Sequence, residues 1–379
     1  MSAIAPTIAL TPIDSSTGAA ARPPLRRNTR PLSLYDLTVV ELSERLEAWG
    51  EPAYRATQLY GWAYKRLATG YDEMTDLPSA LRARLAAEIP LATLGSEREL
   101  ASDDGQTVKT LYLTADGQYI ETVLMYYADR VTVCVSCQVG CAVGCVFCAT
   151  GLGGLKRNLS AGEIVTQVVD ASRAARARGR ELTNVVMMGM GEPFHNYAAT
   201  MAFVGILHEP KGLNMGARRI TISTSGVVPR IDALASEPYQ VNLAVSLHAP
   251  TDELRSALMP INRRYPIEEL LAACRRYGEK TGRRVSFEYA LMAGDNDDDD
   301  IARQLGGLLR RSGVLCHVNL IPLNPVQDLR YERPKAESIE RFAETLRATG
   351  IPTTIRYSRG VEIAAACGQL RQTHEPTIA

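Results

Sequence analysis

CAVGCVFC, residues 141–148, runs straight into ATGLGGLKRN at 149–158 and places three of the chain's eight cysteines within eight positions. The spacing CxxxCxxC puts Cys141, Cys145 and Cys148 in one short loop, a donor set that suits a soft metal or an iron–sulfur cluster. Structural zinc is the plainer alternative, but it closes its coordination with four ligands. No second CxxC and no paired histidines follow downstream.

Composition limits what that loop can mean. At 379 residues and 46% hydrophobic, the chain can bury a full core, enough for one large domain and a smaller one. No run of about 18 apolar residues exists, and the start lacks the basic, apolar and small-residue order of a secretory signal, so a soluble cytoplasmic protein with no membrane segment is expected. In that reducing compartment clustered cysteines bind metal or do redox chemistry more often than they form structural disulfides. Basic and acidic residues balance at 42 each, so no global charge points to nucleic acid. Local candidates are Arg26, Arg27 and Arg30, then Arg173, Arg176, Arg178 and Arg180 of SRAARARGR, then Arg218 and Arg219; a solvated face is the simplest reading of each.

The pattern along the chain divides it. Residues 1–32 are rich in Ala, Pro, Thr and Arg without apolar periodicity and read as a flexible tail, as do 372–379. Within 33–95, DLTVVELSERLEAWG, YRATQLYGWAYKRLA and PSALRARLAAEI repeat apolar residues at three and four, the mark of a small all-helical accessory domain. TVKTLYLTADGQYIETVLMYY alternates around Asp116-Gly117, so 96–130 is expected to be a linking β-hairpin. From 131 to 371 short apolar runs (VTVCVS, NVVMMGM, RRITIST, VNLAVSLHA, RVSFEYALM, CHVNLIPLN, TTIRYS) alternate with helix-like segments, one of them opened by the capping-box spacing Ser160 to Glu163. Strand–helix alternation implies an α/β fold with a parallel sheet and right-handed crossovers. At least six such units, with no GxGxxG or Walker A loop after the first strand, favour a partial (β/α)6 barrel over a doubly wound sheet. Chemistry in such folds gathers at the C-terminal ends of the strands.

An iron–sulfur cluster with three thiolate ligands leaves one iron open, and S-adenosylmethionine, with an amino group and a carboxylate, is the fitting chelator. CxxxCxxC with Phe147 before the last cysteine resembles the signature of the radical SAM superfamily. VCVSCQVGCAVGCVFCATGLGGLKRNL, VVMMGMGEPFHNY, ITISTSG, AVSLHAP, VNLIPLNP and AAACGQL further resemble blocks of the RlmN family, adenine-C2 methyltransferases of ribosomal and transfer RNA. The related Cfr enzymes, which methylate adenine C8, share most of these blocks. The resemblance runs from about residue 35 to 371.

It implies a radical-SAM barrel holding a 4Fe–4S cluster on Cys141, Cys145 and Cys148, with the fourth iron open to S-adenosylmethionine. Gly191 and Glu192 would hold the cofactor's amino group, an apt match of carboxylate to ammonium. Ser223, Ser246, Leu247, His248 and Asn324 would bind the rest of it. Taken alone, each of these polar residues is most often a cap or a turn; their recurrence after consecutive strands argues otherwise. Two cofactor molecules would serve each turnover. One methylates Cys367; the other is cleaved to a 5'-deoxyadenosyl radical that takes hydrogen from that methyl group. The carbon radical attacks the adenine, Glu121 accepts the proton, and Cys134 releases the product through a disulfide with Cys367. Adenine C2 is electron-poor and cannot attack a sulfonium methyl group, so a radical route answers a real chemical difficulty.

The expected partners are 23S ribosomal RNA near the peptidyl transferase centre or its precursor, transfer RNA at the adenosine beside the anticodon, and a flavodoxin or ferredoxin as electron donor to a monomeric enzyme. Cys274 and Cys316 read as packing. Cys137 stands where the family usually has serine and forms a second CxxC with Cys134, and RYSRG carries serine where threonine is common. The acidic run at 295–300 lacks the ligand pattern of a calcium loop and suits the start of a helix.

Overall fold

The computed structural model describes residues 31–326 and 329–371; the tails expected at 1–32 and 372–379 lie outside it, Pro31 and Leu32 excepted. Three helices come first: α1 (Val39–Ala48), α2 (Tyr54–Tyr60) and α3 (Ser79–Glu88). Thr38 caps α1 in a capping box with Glu41, and the breaks fall at Gly50-Glu51-Pro52 and at Pro78. Strands β1 (Leu94–Ala101), β2 (Thr107–Thr114) and β3 (Tyr119–Tyr126) follow, then β4 (Val131–Cys134), β5 (Gln138–Gly140), α4 (Ala149–Leu152) and β6 (Leu155–Asn158). The remaining elements alternate: α5 (Ala161–Ala177), β7 (Asn184–Met187), α6 (Tyr197–His208), β8 (Ile220–Thr224), α7 (Val228–Leu234), β9 (Asn242–Ser246), α8 (Asp252–Leu258), α9 (Ile267–Thr281), β10 (Val285–Leu291), α10 (Asp299–Ser312), β11 (Cys316–Pro322), α11 (Ala336–Ala348) and β12 (Thr353–Ile355).

One ten-stranded sheet runs β1-β2-β3-β4-β7-β8-β9-β10-β11-β12, and β5 pairs separately with β6. From β4 to β12 every neighbouring pair is parallel, with β1 and β12 left as edges, so the parallel part is an open barrel. The segment before it differs from the expected lone hairpin. β1, β2 and β3 form an antiparallel meander, and β3 pairs with β4, so these strands extend the barrel sheet itself. Five consecutive exposed residues on β1 hid it in the sequence, because no apolar face marks an edge strand.

A continuous core joins the helical region, the meander and the barrel. Phe203, Phe287 and Phe342 are among its largest fully buried side chains; truncating any of them to Ala costs about 3–5 kcal/mol. Helix α5 is the joint. Arg173 Nε donates to Leu67 O at 2.8 Å and its Nη2 reaches Tyr35 Oη and Ala68 O. Arg176 donates to Lys65 O (2.9 Å), Arg178 to Gly105 O (2.7 Å) and Arg180 to Tyr127 O (2.8 Å). The arginines of SRAARARGR therefore hold neighbouring backbone, Arg173 and Arg180 from half-buried positions and Arg176 and Arg178 from the solvated face expected of them. The acidic run at 295–300 opens α10, where Asp298 accepts from Ile301 N at 2.8 Å. Among the described residues no helix is long and apolar enough to cross a membrane.

Candidate active site

Backbone hydrogen bonds shape the cysteine loop after β5. Cys141 N donates to Gly154 O (3.1 Å), Cys148 N to Cys145 O (3.2 Å), and Val146 N to Leu258 O at the end of α8 (3.1 Å). A Cβ on Gly151 would lie 3.1 Å from Cys145 O, so glycine there lets α4 close on the loop. Phe147 stands edge-on to His248, ring centroids 5.0 Å apart, beside a small apolar cluster of Leu258, Met259, Ala290, Met292 and Leu323.

Cys141, Cys145 and Cys148 share the wall of one cavity of about 980 Å³ with Gly191, Glu192, Ser223, Ser246, His248, Asn324 and Cys367. Among the described residues no three His, Cys, Asp or Glu side chains gather on a point as a single bound ion requires; the thiols face a wider space. Burial pushes the Cys141 thiol up to about 12 and Cys145 well above its ordinary range.

Each strand end contributes by a local device. In GMGEP, a Cβ on Gly189 would come within 2.7 Å of Val135 O, and Gly191, at φ +107°, would drive one to 2.6 Å from the Gln138 side chain. Only glycine lets this turn pack against the loop after β4. Glu192 is buried, with Oε1 accepting from Phe194 N (2.9 Å) and Oε2 from Ser225 N (2.6 Å). Asn324 Nδ2 donates to Ser358 Oγ (2.9 Å) and Cys367 O (3.1 Å). His248 adopts φ +60° and its Nδ1 accepts from Ala290 N at 2.9 Å, which puts the ring proton on Nε2. Burial, helped by Arg255, holds its pKa at about 3, so the imidazole is neutral.

Leu247 departs from expectation. Its side chain lies in the main core, outside the cavity wall. Its backbone atoms are already engaged, N to Glu288 O and O from Arg255 Nε. The residue the sequence hid is Arg255. It is fully buried on α8 and donates to Leu247 O, Ser246 O, Ser225 O and Asn262 Oδ1 at 2.7–3.1 Å, tying the ends of β8 and β9 together.

Three buried oxygens of this cavity wall, Ser225 Oγ, Glu288 Oε2 and Asn324 Oδ1, have no hydrogen-bond partner among the described residues. Unpartnered buried polar atoms cost stability unless a ligand completes them. Three clustered thiols, the buried Glu192 carboxylate and the open oxygens of Ser225 and Asn324 fit an iron–sulfur cluster and a zwitterionic adenosyl cofactor.

Cys367 joins that cavity to a second one of about 470 Å³, lined also by Cys134, Arg356, Met188 and Tyr127. Burial raises both thiols, Cys134 to about 12, while Arg356 pulls Cys367 back down. Cys137 is buried in the core and lines neither cavity. The Cys367 loop is tied to the cysteine loop by Ala149 N to Gly368 O and Thr150 Oγ1 to Leu370 O, both 2.8 Å. Glu121 belongs to the same fastening. Its Oε1 pairs with Lys109 Nζ at 2.8 Å and its Oε2 accepts from Arg371 N at 2.8 Å. Its carboxylate lines none of the cavities described here.

A third cavity, about 1420 Å³, occupies the opposite end of the barrel lumen. Asn184, Thr221, Asn242, Ser286, His317 and Asn319 point into it from successive strands, ringed by Arg130, Arg218, Arg283, Arg284 and Arg356. Glu288 and Met188 line both this space and the cysteine cavity.

Comparison with known proteins agrees with this geometry. The Radical SAM superfamily model matches residues 135–305, and the model of the ribosomal RNA large subunit methyltransferase N-terminal domain matches 32–90. A probable dual-specificity RNA methyltransferase RlmN of Chloroflexus aurantiacus is 55% identical over 90% of this chain and 93% of its own length. The Geobacillus kaustophilus protein of the same description is 50% identical over 93% of this chain and 96% of its own. The crystal structure of a radical SAM methyltransferase from Sphaerobacter thermophilus superposes with a TM-score of 0.89 at 66% identity, covering 90% of this chain and all of that one. With its cysteine loop at the mouth of an open parallel barrel and its helices packed on α5, the chain belongs to the RlmN family of radical SAM enzymes.

Proposed function

We propose that the chain methylates C2 of a defined adenosine in RNA, in 23S ribosomal RNA at the peptidyl transferase centre and in a subset of transfer RNAs beside the anticodon. The observation that carries this reading is the position of Cys367, which faces the three clustered cysteines in one cavity and Cys134 in the next. When bound, the cluster and two S-adenosylmethionine molecules per turnover supply a methyl group and the radical chemistry that an electron-poor C2 requires, with electrons from a donor such as flavodoxin or ferredoxin.

The chain's own residues do the rest. Cys141, Cys145 and Cys148 hold the cluster. Glu192, on the Gly191 turn, takes the cofactor's ammonium, and Ser223, Ser246, His248 and Asn324 take its other polar groups. Cys367 accepts the methyl group and carries it to the base. Cys134, as a thiolate, then attacks the Cys367 sulfur; the bond from that sulfur to the CH2 on the base breaks, the CH2 takes a proton to become the methyl group, and a disulfide remains to be reduced. For Glu121 to take the C2 proton, the loop 360–371 has to lift from its carboxylate. The arginine-ringed mouth receives the RNA backbone, with residues 33–95 extending that surface, and the target base enters the lumen unstacked.

Nucleoside mass spectrometry on ribosomal and transfer RNA, from a host lacking its own adenine-C2 methyltransferase and expressing this chain, tests the reading. 2-Methyladenosine in both pools is expected. 8-Methyladenosine would move the chain to Cfr-type chemistry, and no new methyladenosine from a cluster-loaded protein would overturn the proposal.

A further inference from the structure

Glu288 is a buried acid inside the lumen that none of the roles above uses. It sits midway along β10 at 4% exposure. Oε1 accepts from Asn319 Nδ2 at 2.9 Å, while Oε2 is buried without a partner among the described residues. It lines both the cysteine cavity, which also holds Cys367, and the arginine-ringed cavity, so its carboxyl faces the space between the two. Among the described residues it is also the only carboxyl lining the basic cavity.

We infer that Glu288 reads the target base, taking adenine's exocyclic amine and the adjacent ring nitrogen on its carboxyl. The inference rests on the adenosine reading above. A neutral carboxyl offers one donor and one acceptor side by side, the pairing that Gln or Asn makes with the edge of adenine. Burial, the largest influence on this group, favours that neutral form by raising its pKa, against the opposing pull of Arg356 and Asn319.

The test is a cycle between enzyme and substrate. RNA carrying purine riboside at the target lacks only the amine. Wild-type kcat/KM should fall by about 10- to 100-fold on that RNA relative to adenosine. Glu288→Gln, which keeps a donor and an acceptor, should retain both the activity and the discrimination. Glu288→Met should be slow on adenosine yet nearly indifferent to removal of the amine, because the interaction being deleted is already gone. An equal loss in wild type and Glu288→Met would overturn the assignment, and so would a variant whose KM rises for S-adenosylmethionine while its RNA discrimination stays intact. If Glu288→Met fails to fold, the wild-type comparison decides, since full activity on purine riboside excludes amine recognition. Absence of any methyladenosine from the wild type would instead count against the broader functional reading.

Discussion

The two ends of the barrel lumen are built by the same strands, with inward positions only two or four residues apart, and they differ sharply in chemistry. Towards the cysteine loop the strands present Ser223, Ser246, Ala290 and Ile321. Towards the other mouth they present Thr221, Asn242, Ser286 and Asn319 beneath a ring of arginines. Alternation along a strand makes every second residue face the lumen, so one strand can serve two environments without changing its fold. The first end is shaped to enclose a cofactor away from water, and the second to meet a hydrated polyanion.

If that division holds, substitutions at the two ends fail differently. The largest effect is expected at the closed end: Cys141→Ala, Cys145→Ala or Cys148→Ala should lose iron on anaerobic analysis and all turnover, with RNA affinity in a filter-binding assay preserved. Cys367→Ala should keep its iron and still form no methyladenosine. Cys134→Ala should arrest later, leaving a protein–RNA adduct on a denaturing gel; recovery of free, unmodified RNA alone would remove Cys134 from its assigned role.

At the basic end, Arg283→Glu or Arg284→Glu should weaken RNA binding about tenfold or more and lower the slope of log K against log salt by about one per lost phosphate contact. Iron content should stay unchanged. A loss that is equal at low and high salt would place these arginines away from the phosphates.

Acidity should act on the closed end first. His248 is neutral when folded because burial depresses its pKa to about 3 from an ordinary 6.5. Between those values the unfolded chain binds the extra proton, so this residue makes stability fall as pH drops from about 6.5 towards 3. Urea unfolding midpoints of His248→Asn should decline less steeply over that window than those of the native chain. The smallest effect is reserved for Cys137→Ser, which should leave turnover unchanged because that thiol faces neither cavity.

How much of this could be read from the chain alone follows from how local each feature is. The cysteine loop packs three thiols into eight residues, and the barrel strands are short apolar runs bounded by turns, so both are legible without tertiary information. β1 was illegible because its exposed face is polar and its pairing is with a strand it does not resemble. Arg255 reads as a surface cation of the amphipathic DELRSAL. Only the packing of α8 beneath the ends of β8 and β9 buries it. The family resemblance supplied a role for Glu121 but not its surroundings, since its partner Arg371 lies 250 residues away along the chain. Leu247 stands between Ser246 and His248 in the sequence, but its side chain packs into the main core just past the end of β9 while theirs line the cavity.

The clamps along α5 have a consequence for how the molecule comes apart. Arg173 and Arg176 grip the backbone of the N-terminal helices, while Arg178 and Arg180 grip the meander, all from one helix that also packs on the barrel. Heat should therefore melt all three regions in one calorimetric transition. A chain begun at residue 96 would not be a trimmed enzyme: it would bare the apolar flank of α5 and precipitate.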